Sequence, residues 1–234
     1  MHFLVPFTDL CPMRVIISAA THGEWMPSFQ KINPKYVSNN KKFSVGFHES
    51  GIGMLASSVS LMKMFTQETP TLIIQVGIAG CFDKKIPLGK AFVVKDDFAG
   101  DIGVMENKVW KDLFDMKLDK PNDPPYEKKG LPNPWLNQFN LLQLPTKKGV
   151  TVNTISTEKK QIELLSGRYK AVLESMEGAS LHYIGRDLTI PFIQLRAVSN
   201  YVGERDKSKW KIQEAIYNLN ETLLAYLDAL YKTA

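Results

Sequence analysis

Short apolar runs recur along the chain at 15–20 (VIISAA), 43–49 (FSVGFHE), 71–80 (TLIIQVGIAG), 91–97 (AFVVKDD), 149–154 (GVTVNT) and 190–199 (IPFIQLRAVS). Each is rich in β-branched residues and bounded by turn signals, which predicts strands, several of them apolar enough to be covered on both faces. Between them, apolar positions spaced three and four apart predict helices over 54–65 (MLASSVSLMKMF), 158–165, 178–186 and 212–231. This alternation predicts an α/β fold around a central sheet. Residues 107–148 break the pattern: PNDPPYEKKGLPNPW is dense in proline, asparagine and charge, and predicts an irregular surface excursion of the kind used as a lid or subunit contact.

Length and composition narrow this picture. A chain of 234 residues, 44% apolar, suffices for one globular domain over residues 1–234 with a sizeable core. Cys11 and Cys81 lie far apart, without CxxC or HxxxH neighbours, so neither a disulfide framework nor a metal site is expected, and a reducing, cytoplasmic setting is. No apolar run approaches the roughly 18 residues that span a bilayer, and MHFLVPFTDLCPMR lacks a basic stretch ahead of a long apolar core. The formal charge of +5 is spread over predicted loops such as KYVSNNKK, which fits a solvated surface better than a nucleic-acid footprint. Neither nucleic acid nor membrane is an expected partner.

In open α/β sheets, ligands gather beyond the carboxyl ends of the strands. After the first run comes THGE, with Glu24; after the second, SGIG; the third ends in GIAG; the last ends in Ser199-Asn200. Polar and glycine-rich groups therefore converge on one edge. Gly51 and Gly53 suit a tight strand-to-helix turn and close backbone approach to a ligand, although glycine serves plain turns equally well. Neither glycine motif is GxGxxG or GxxxxGK[ST], which removes the dinucleotide and P-loop readings. In ESMEGASLHYIGRDL, Glu177 is either a helix-start carboxylate or a ligand-binding one. Asn200 is either a turn residue or a recognition group. His22, His48 and His182 show no metal spacing and carry no assigned role.

SGIG, VGIAG, SMEGAS and PFIQLRAVSN, in this order and at this spacing, resemble the nucleoside phosphorylase and nucleosidase superfamily, especially its methylthioadenosine/S-adenosylhomocysteine nucleosidase branch. VNT at 152–154 and SNYVGERDKSKW near the end are similar to its futalosine hydrolase group. The resemblance runs from about Arg14 to the C-terminal helix and is weakest over the excursion. It implies a single domain with a twisted, mixed β-sheet flanked by helices, a homo-oligomer, a small purine nucleoside as substrate, and no metal or organic cofactor. By matching residues it implies Glu24 as the water-activating base, Glu177 on the ribose hydroxyls, Met176 against the sugar, and Ala79 and Gly80 as pocket floor. Arg196 would support the water, and Ser199 the base-binding loop.

The chain departs from that pattern at Ile78, where a serine is usual, and around Ile155, where an aromatic stacks on the purine. Asn200 stands in place of an aspartate. A protonated aspartate suits adenine, donating to N7 and accepting from the 6-amino group. A 6-oxopurine such as hypoxanthine presents acceptors at N7 and O6, which an amide matches better. The resemblance thus implies hydrolysis of the N-ribosidic bond of futalosine with release of hypoxanthine. The alternatives are an adenine-type nucleosidase, a purine nucleoside phosphorylase and a noncatalytic nucleoside binder. The THGE and GIAG turns lack the superfamily's phosphate-binding patterns, which favours water as nucleophile.

Overall fold

In the computed structural model, which describes residues 13–37 and 42–233, the apolar runs become strands of one mixed sheet. Cys11 and most of the N-terminal stretch lie outside the described residues. The strands are β1 (Met13–Ala19), β2 (Phe43–Glu49), β3 (Leu72–Cys81), β4 (Ala91–Asp97), β5 (Gly103–Glu106), β6 (Val109–Asp112), β7 (Leu131–Pro132), β8 (Thr146–Thr151), β9 (Leu173–Ser175) and β10 (Phe192–Tyr201). The helices are α1 (His22–Lys31), α2 (Pro34–Val37), α3 (Met54–Gln67), α4 (Leu136–Phe139), α5 (Lys159–Tyr169), α6 (Gly178–Asp187) and α7 (Ile212–Thr233). The expected mixed α/β architecture is present, with β5 and β6 set apart as a separate hairpin.

The main sheet runs β10-β4-β8-β9-β3-β1-β2, and β10 also pairs with β3. Strands β3, β10, β4, β8 and β9 therefore close into a ring, and β1 and β2 extend from β3 as a parallel wing. One face of the sheet is covered by α1, α2 and α7, burying Ile17, Ile74 and Ile193 with Leu219, Leu223 and Leu227. The other is covered by α3 and α6 through Leu61, Met64, Leu181 and Ile184. Ile17, Ile74 and Ile193 are fully excluded from solvent, and burying a side chain of this size contributes roughly 1.5–3 kcal/mol. Apolar residues at consecutive positions of β3 need both covers, which is why its run shows no alternation.

Two local differences from the pattern-based reading have clear causes. Helix α1 occupies residues read only as a strand-end turn. Pro27 and the mixed sequence HGEWMPSFQK hide its periodicity, and THGE is a Thr-x-x-Glu helix-start signature. Strand β8 begins at Thr146 and ends at Thr151, ahead of the expected 149–154. It pairs with β4 through residues with little apolar character, and past it Asp101 takes the N–H groups of Asn153 and Thr154 that would have continued the ladder.

The excursion at 107–148 holds only short elements and backbone of positive φ at Asn107, Lys108, Lys117, Lys128, Lys129 and Gln143. Asp112 and Asp115 tie it to Arg168 on α5, and Tyr126 packs edge-on against Tyr183 on α6. Docked there, it contributes no residue to the lining of the cleft described next.

Candidate active site

A cleft of about 420 Å³ opens where β3 exchanges one neighbour for another. Leu72 to Gln75 pair with β1, whereas Gly80 and Cys81 pair with β9. The stretch between them has lost its partner on that side, and its backbone needs another. Glu24 supplies one: its Oε1 accepts the Ile78 N–H at 3.0 Å, while Oε2 accepts the Thr21 N–H at 3.3 Å. The carboxylate lies in the third position of α1 and reaches back to the helix start, as in a capping box. Burial raises its pKa above the ordinary glutamate value, opposed by the charge of Arg196 and the two backbone donors.

Helix α1 is held by a residue that the motif reading did not single out. Pro27 cannot donate to the preceding turn, and one step later a side chain bonds to both Ser28 N–H and Glu24 C=O. Asn220 of α7 accepts the Ser28 N–H at 2.9 Å and donates to the Glu24 carbonyl at 2.9 Å. Its amide, nearly fully buried, thereby clamps the turn that carries the Glu24 carboxylate.

Arg196 on β10 is only 1% exposed and lies behind the cleft, where it contacts Glu177, which lines it. Its Nη2 donates to Gln75 Oε1 at 3.0 Å, and its Nη1 is 3.7 Å from Glu177 Oε2. Room for it comes from Gly77: a Cβ there would overlap Nη1 and come within 3.0 Å of Glu24 Oε1. The guanidinium and both carboxylates thus converge above one glycine. Glu177 occupies the helix-start position of α6 without capping it. Thr151 takes the Ala179 N–H at 2.8 Å, which frees the Glu177 carboxylate to accept the Gly53 N–H at 3.1 Å. Gly53 has φ +89, so the SGIG turn is one that only glycine adopts readily, and it brings a backbone donor to the cleft.

The other end of the cleft is built around Gly80. A β-bulge at Ser199 shifts β10 by one residue, pairing Val198 with Ala79 and Asn200 with Gly80. Asn200 is therefore still within the strand, and the bulge aims its side chain at the cleft. Its Nδ2 donates to the Tyr201 carbonyl at 3.1 Å, which can only accept, and its Oδ1 accepts from Ser199 Oγ at 2.8 Å. These two partners fix which way the amide points. Ile155, Met176, Ala79, Gly80 and Ser199 line the cleft together with Glu24, Glu177 and Asn200, whereas Arg196 is buried behind it and is not one of its lining residues. Ile78, standing where a serine was expected, presents an apolar wall.

Sequence reasoning missed Trp210, Ile212 and Ile216, which line the cleft from the C-terminal side. Trp210 closes the GERDKSKW segment: its Nε1 donates to the Glu204 carbonyl at 3.0 Å, and Arg205 lies 5.5 Å from its ring. Also missed was Glu174, which opens the ESMEG stretch and lines the cleft beside Gly80. Among the described residues no three His, Cys, Asp or Glu side chains gather as a metal site.

The family model described as the phosphorylase superfamily matches residues 44–232. The chain belongs to this superfamily. Among its relatives, futalosine hydrolase of Thermus thermophilus is 27% identical over 179 residues, covering 72% of this chain and 74% of that protein. Futalosine hydrolase of Streptomyces coelicolor is 28% identical over 155 residues, covering 65% and 63%. A futalosine hydrolase mutant of Helicobacter pylori has the same fold, with a TM-score of 0.76, 17% identity, and 92% and 99% of the two chains covered. So does 5′-methylthioadenosine/S-adenosylhomocysteine nucleosidase from Helicobacter pylori, with a TM-score of 0.73, 16% identity, and coverage of 93% and 98%. As a phosphorylase-superfamily member, the chain carries its cleft on a fold shared with nucleosidases. No helix among the described residues is long and apolar enough to cross a membrane.

Proposed function

We propose that this protein hydrolyses the N-ribosidic bond of futalosine, releasing hypoxanthine and the dehypoxanthinyl product, a step of an alternative menaquinone route. The observation that carries the reading is the division of one cleft into an end with a buried base and an end with an oriented amide. Glu24 takes a proton from water as the water oxygen bonds to C1′ and the C1′–N9 bond breaks, its electron pair leaving with the purine. Arg196 supports the water, Glu177 binds the ribose hydroxyls, and Met176 packs on the sugar. Positive charge building on the ribose is stabilised by the two carboxylates in a low-dielectric site.

Asn200 donates toward O6 and N7 as negative charge develops on the base, with Ser199 holding its carbonyl away. An amide cannot transfer a proton, so solvent protonates the leaving hypoxanthine. Ala79 and Gly80 give the floor and Ile155 the edge. A homo-oligomer is supported by the apolar stripe Leu55, Val59 and Met62 on α3, which continues to Ile52 at the cleft mouth.

Futalosine turnover measured with and without inorganic phosphate tests the reaction. Equal rates with an unphosphorylated sugar product are expected. A requirement for phosphate, or release of base only from methylthioadenosine, would replace this reading with a phosphorylase or an adenine-type nucleosidase.

A further inference from the structure

Strand β8 ends in Val150 and Thr151, Val152 follows, and all three are fully excluded from solvent. Valine has the same branched shape as threonine, so the hydroxyl of Thr151 is there for its bonds rather than its bulk. Register sets Thr151 beside Ser175 of β9, and both hydroxyls lie under the start of α6, whose first N–H groups have no partner within the helix. Ser175 Oγ takes the Gly178 N–H at 3.4 Å, Thr151 Oγ1 the Ala179 N–H at 2.8 Å, and the Glu177 carbonyl the Ser180 N–H at 3.1 Å. The Glu177 side chain, which stands at the helix start, takes none of them.

An acid at a helix start is drawn to the helix, because the free N–H groups and the dipole both attract it. Glu177 turns away instead: Oε1 accepts the Gly53 N–H at 3.1 Å, and Oε2 lies 3.7 Å from Arg196 Nη1. Asp97 decides how Thr151 fills the place so left. Its Oδ1, deep in the core, accepts the Thr151 hydroxyl at 2.9 Å and the Phe98 N–H at 2.8 Å. A hydroxyl has one hydrogen; given to Asp97, it leaves lone pairs toward Ala179, where an acceptor is required. Asp97 fits beneath the helix because α6 opens with Gly178, where a Cβ would come 2.2 Å from Asp97 Oδ2.

We infer that Thr151, oriented by Asp97, is a positioning residue for Glu177: it caps α6 in place of the Glu177 carboxylate and so leaves that carboxylate to the cleft. This inference rests on the reading of Glu177 as the group that binds the ribose hydroxyls. Neither Thr151 nor Asp97 lines the cleft, so each acts only through what it holds. Without the Thr151 hydroxyl, the buried Ala179 N–H lacks its acceptor, and an unmet buried donor is costly. Glu177, two residues before it, is the acid placed to turn back and supply one. Its carboxylate then leaves the Gly53 N–H, and the ribose loses its partner.

Turnover of futalosine and of its 3′-deoxy counterpart tests this, because the two differ only in a hydroxyl offered to Glu177. Wild-type protein should prefer futalosine in kcat/KM. Thr151→Val should lower that preference by about 10-fold, the scale of one hydrogen bond to a charged group, and mainly through KM. Thr151→Ser, which keeps the hydroxyl, should keep the preference. Thr151→Cys, a weaker acceptor of similar size, should fall between them and carries the same readout if the Val variant does not fold. In a Glu177→Ala background, Thr151→Val should change the preference no further, since the two residues act as one unit. A folded Val or Cys variant that keeps the wild-type preference, losing rate equally on both nucleosides, makes Thr151 a structural cap and overturns the inference while leaving the role of Glu177 intact. Wild-type protein without the preference, or Glu177→Ala protein that retains it, removes the reading of Glu177 itself.

Discussion

The two ends of the cleft are built by opposite means. The water end gathers Glu24 from α1 and, from the far end of the chain, Glu177 at the start of α6 and Arg196 on the following strand β10, into the gap left where β3 changes partners. The base end is built on one strand pairing, where the bulge in β10 sets Asn200 opposite Gly80. At the first, charges are held out of water, where fields are strong but position is everything. At the second, the donor and acceptor of one oriented amide decide what fits. A rate should therefore be lost at one end and a preference exchanged at the other.

The largest effect expected is at the water end. Glu24→Gln should keep substrate binding and lower kcat by about 10² or more, the scale for a positioned base. The base acts ionised, and burial raises its pKa, so wild-type activity should fall on acidification at a higher pH than an ordinary glutamate would give. The variant's residual rate should lack that limb. Near-normal turnover would take Glu24 out of the mechanism.

Next comes the base end. Asn200→Asp should move the kcat/KM ratio for 6-oxo over 6-amino nucleosides by about 10-fold or more toward adenine, with both rates still measurable. An unchanged ratio would show that the two ends are not separable in the way proposed.

Behind the water end, Asn220→Ala should unclamp α1. Leaving the Ser28 N–H and Glu24 carbonyl without their buried partner should cost about 1–3 kcal/mol in thermal unfolding and lower kcat more than it raises KM. A pure stability loss with wild-type kcat would make Asn220 structural only.

The smallest effect concerns two buried groups beneath α6. His182 donates from Nδ1 to the Leu131 carbonyl, and burial lowers its pKa to about 4, so its contribution to stability is complete above 6.5 and is lost as pH falls toward 4. Asp97 is raised to about 6 by burial, so the folded state is penalised for its charge above that pH and relieved as pH falls toward 3.8. The two slopes oppose each other. Asp97→Asn should steepen the loss of Tm between pH 7 and 5, and His182→Gln should reverse it. Parallel Tm profiles for both variants would contradict this pairing.

The strands with long apolar runs were legible because each needs two covers, and the SGIG turn because Gly51 and Gly53 adopt a positive φ that other residues resist; GIAG, read as a turn, instead continues strand β3. The motif residues of the site were legible through their ordered spacing, but not their geometry. Strand β9 is three residues long, too short for any pattern, yet it alone places Glu174 beside Gly80. The closure of β10 onto β3 and the bulge at Ser199 are tertiary facts with no local signature. Helix α1 was readable in principle from Thr21 and Glu24. Trp210 was not, because the polar GERDKSKW segment becomes part of the site only through its return to the sheet edge.

The most direct test of the account compares wild-type turnover of a matched pair, futalosine and its 6-amino counterpart aminodeoxyfutalosine, in phosphate-free buffer. The account predicts release of hypoxanthine from the first with kcat/KM higher by about 10² or more than release of adenine from the second. Equal efficiencies, or faster release of adenine, would contradict it.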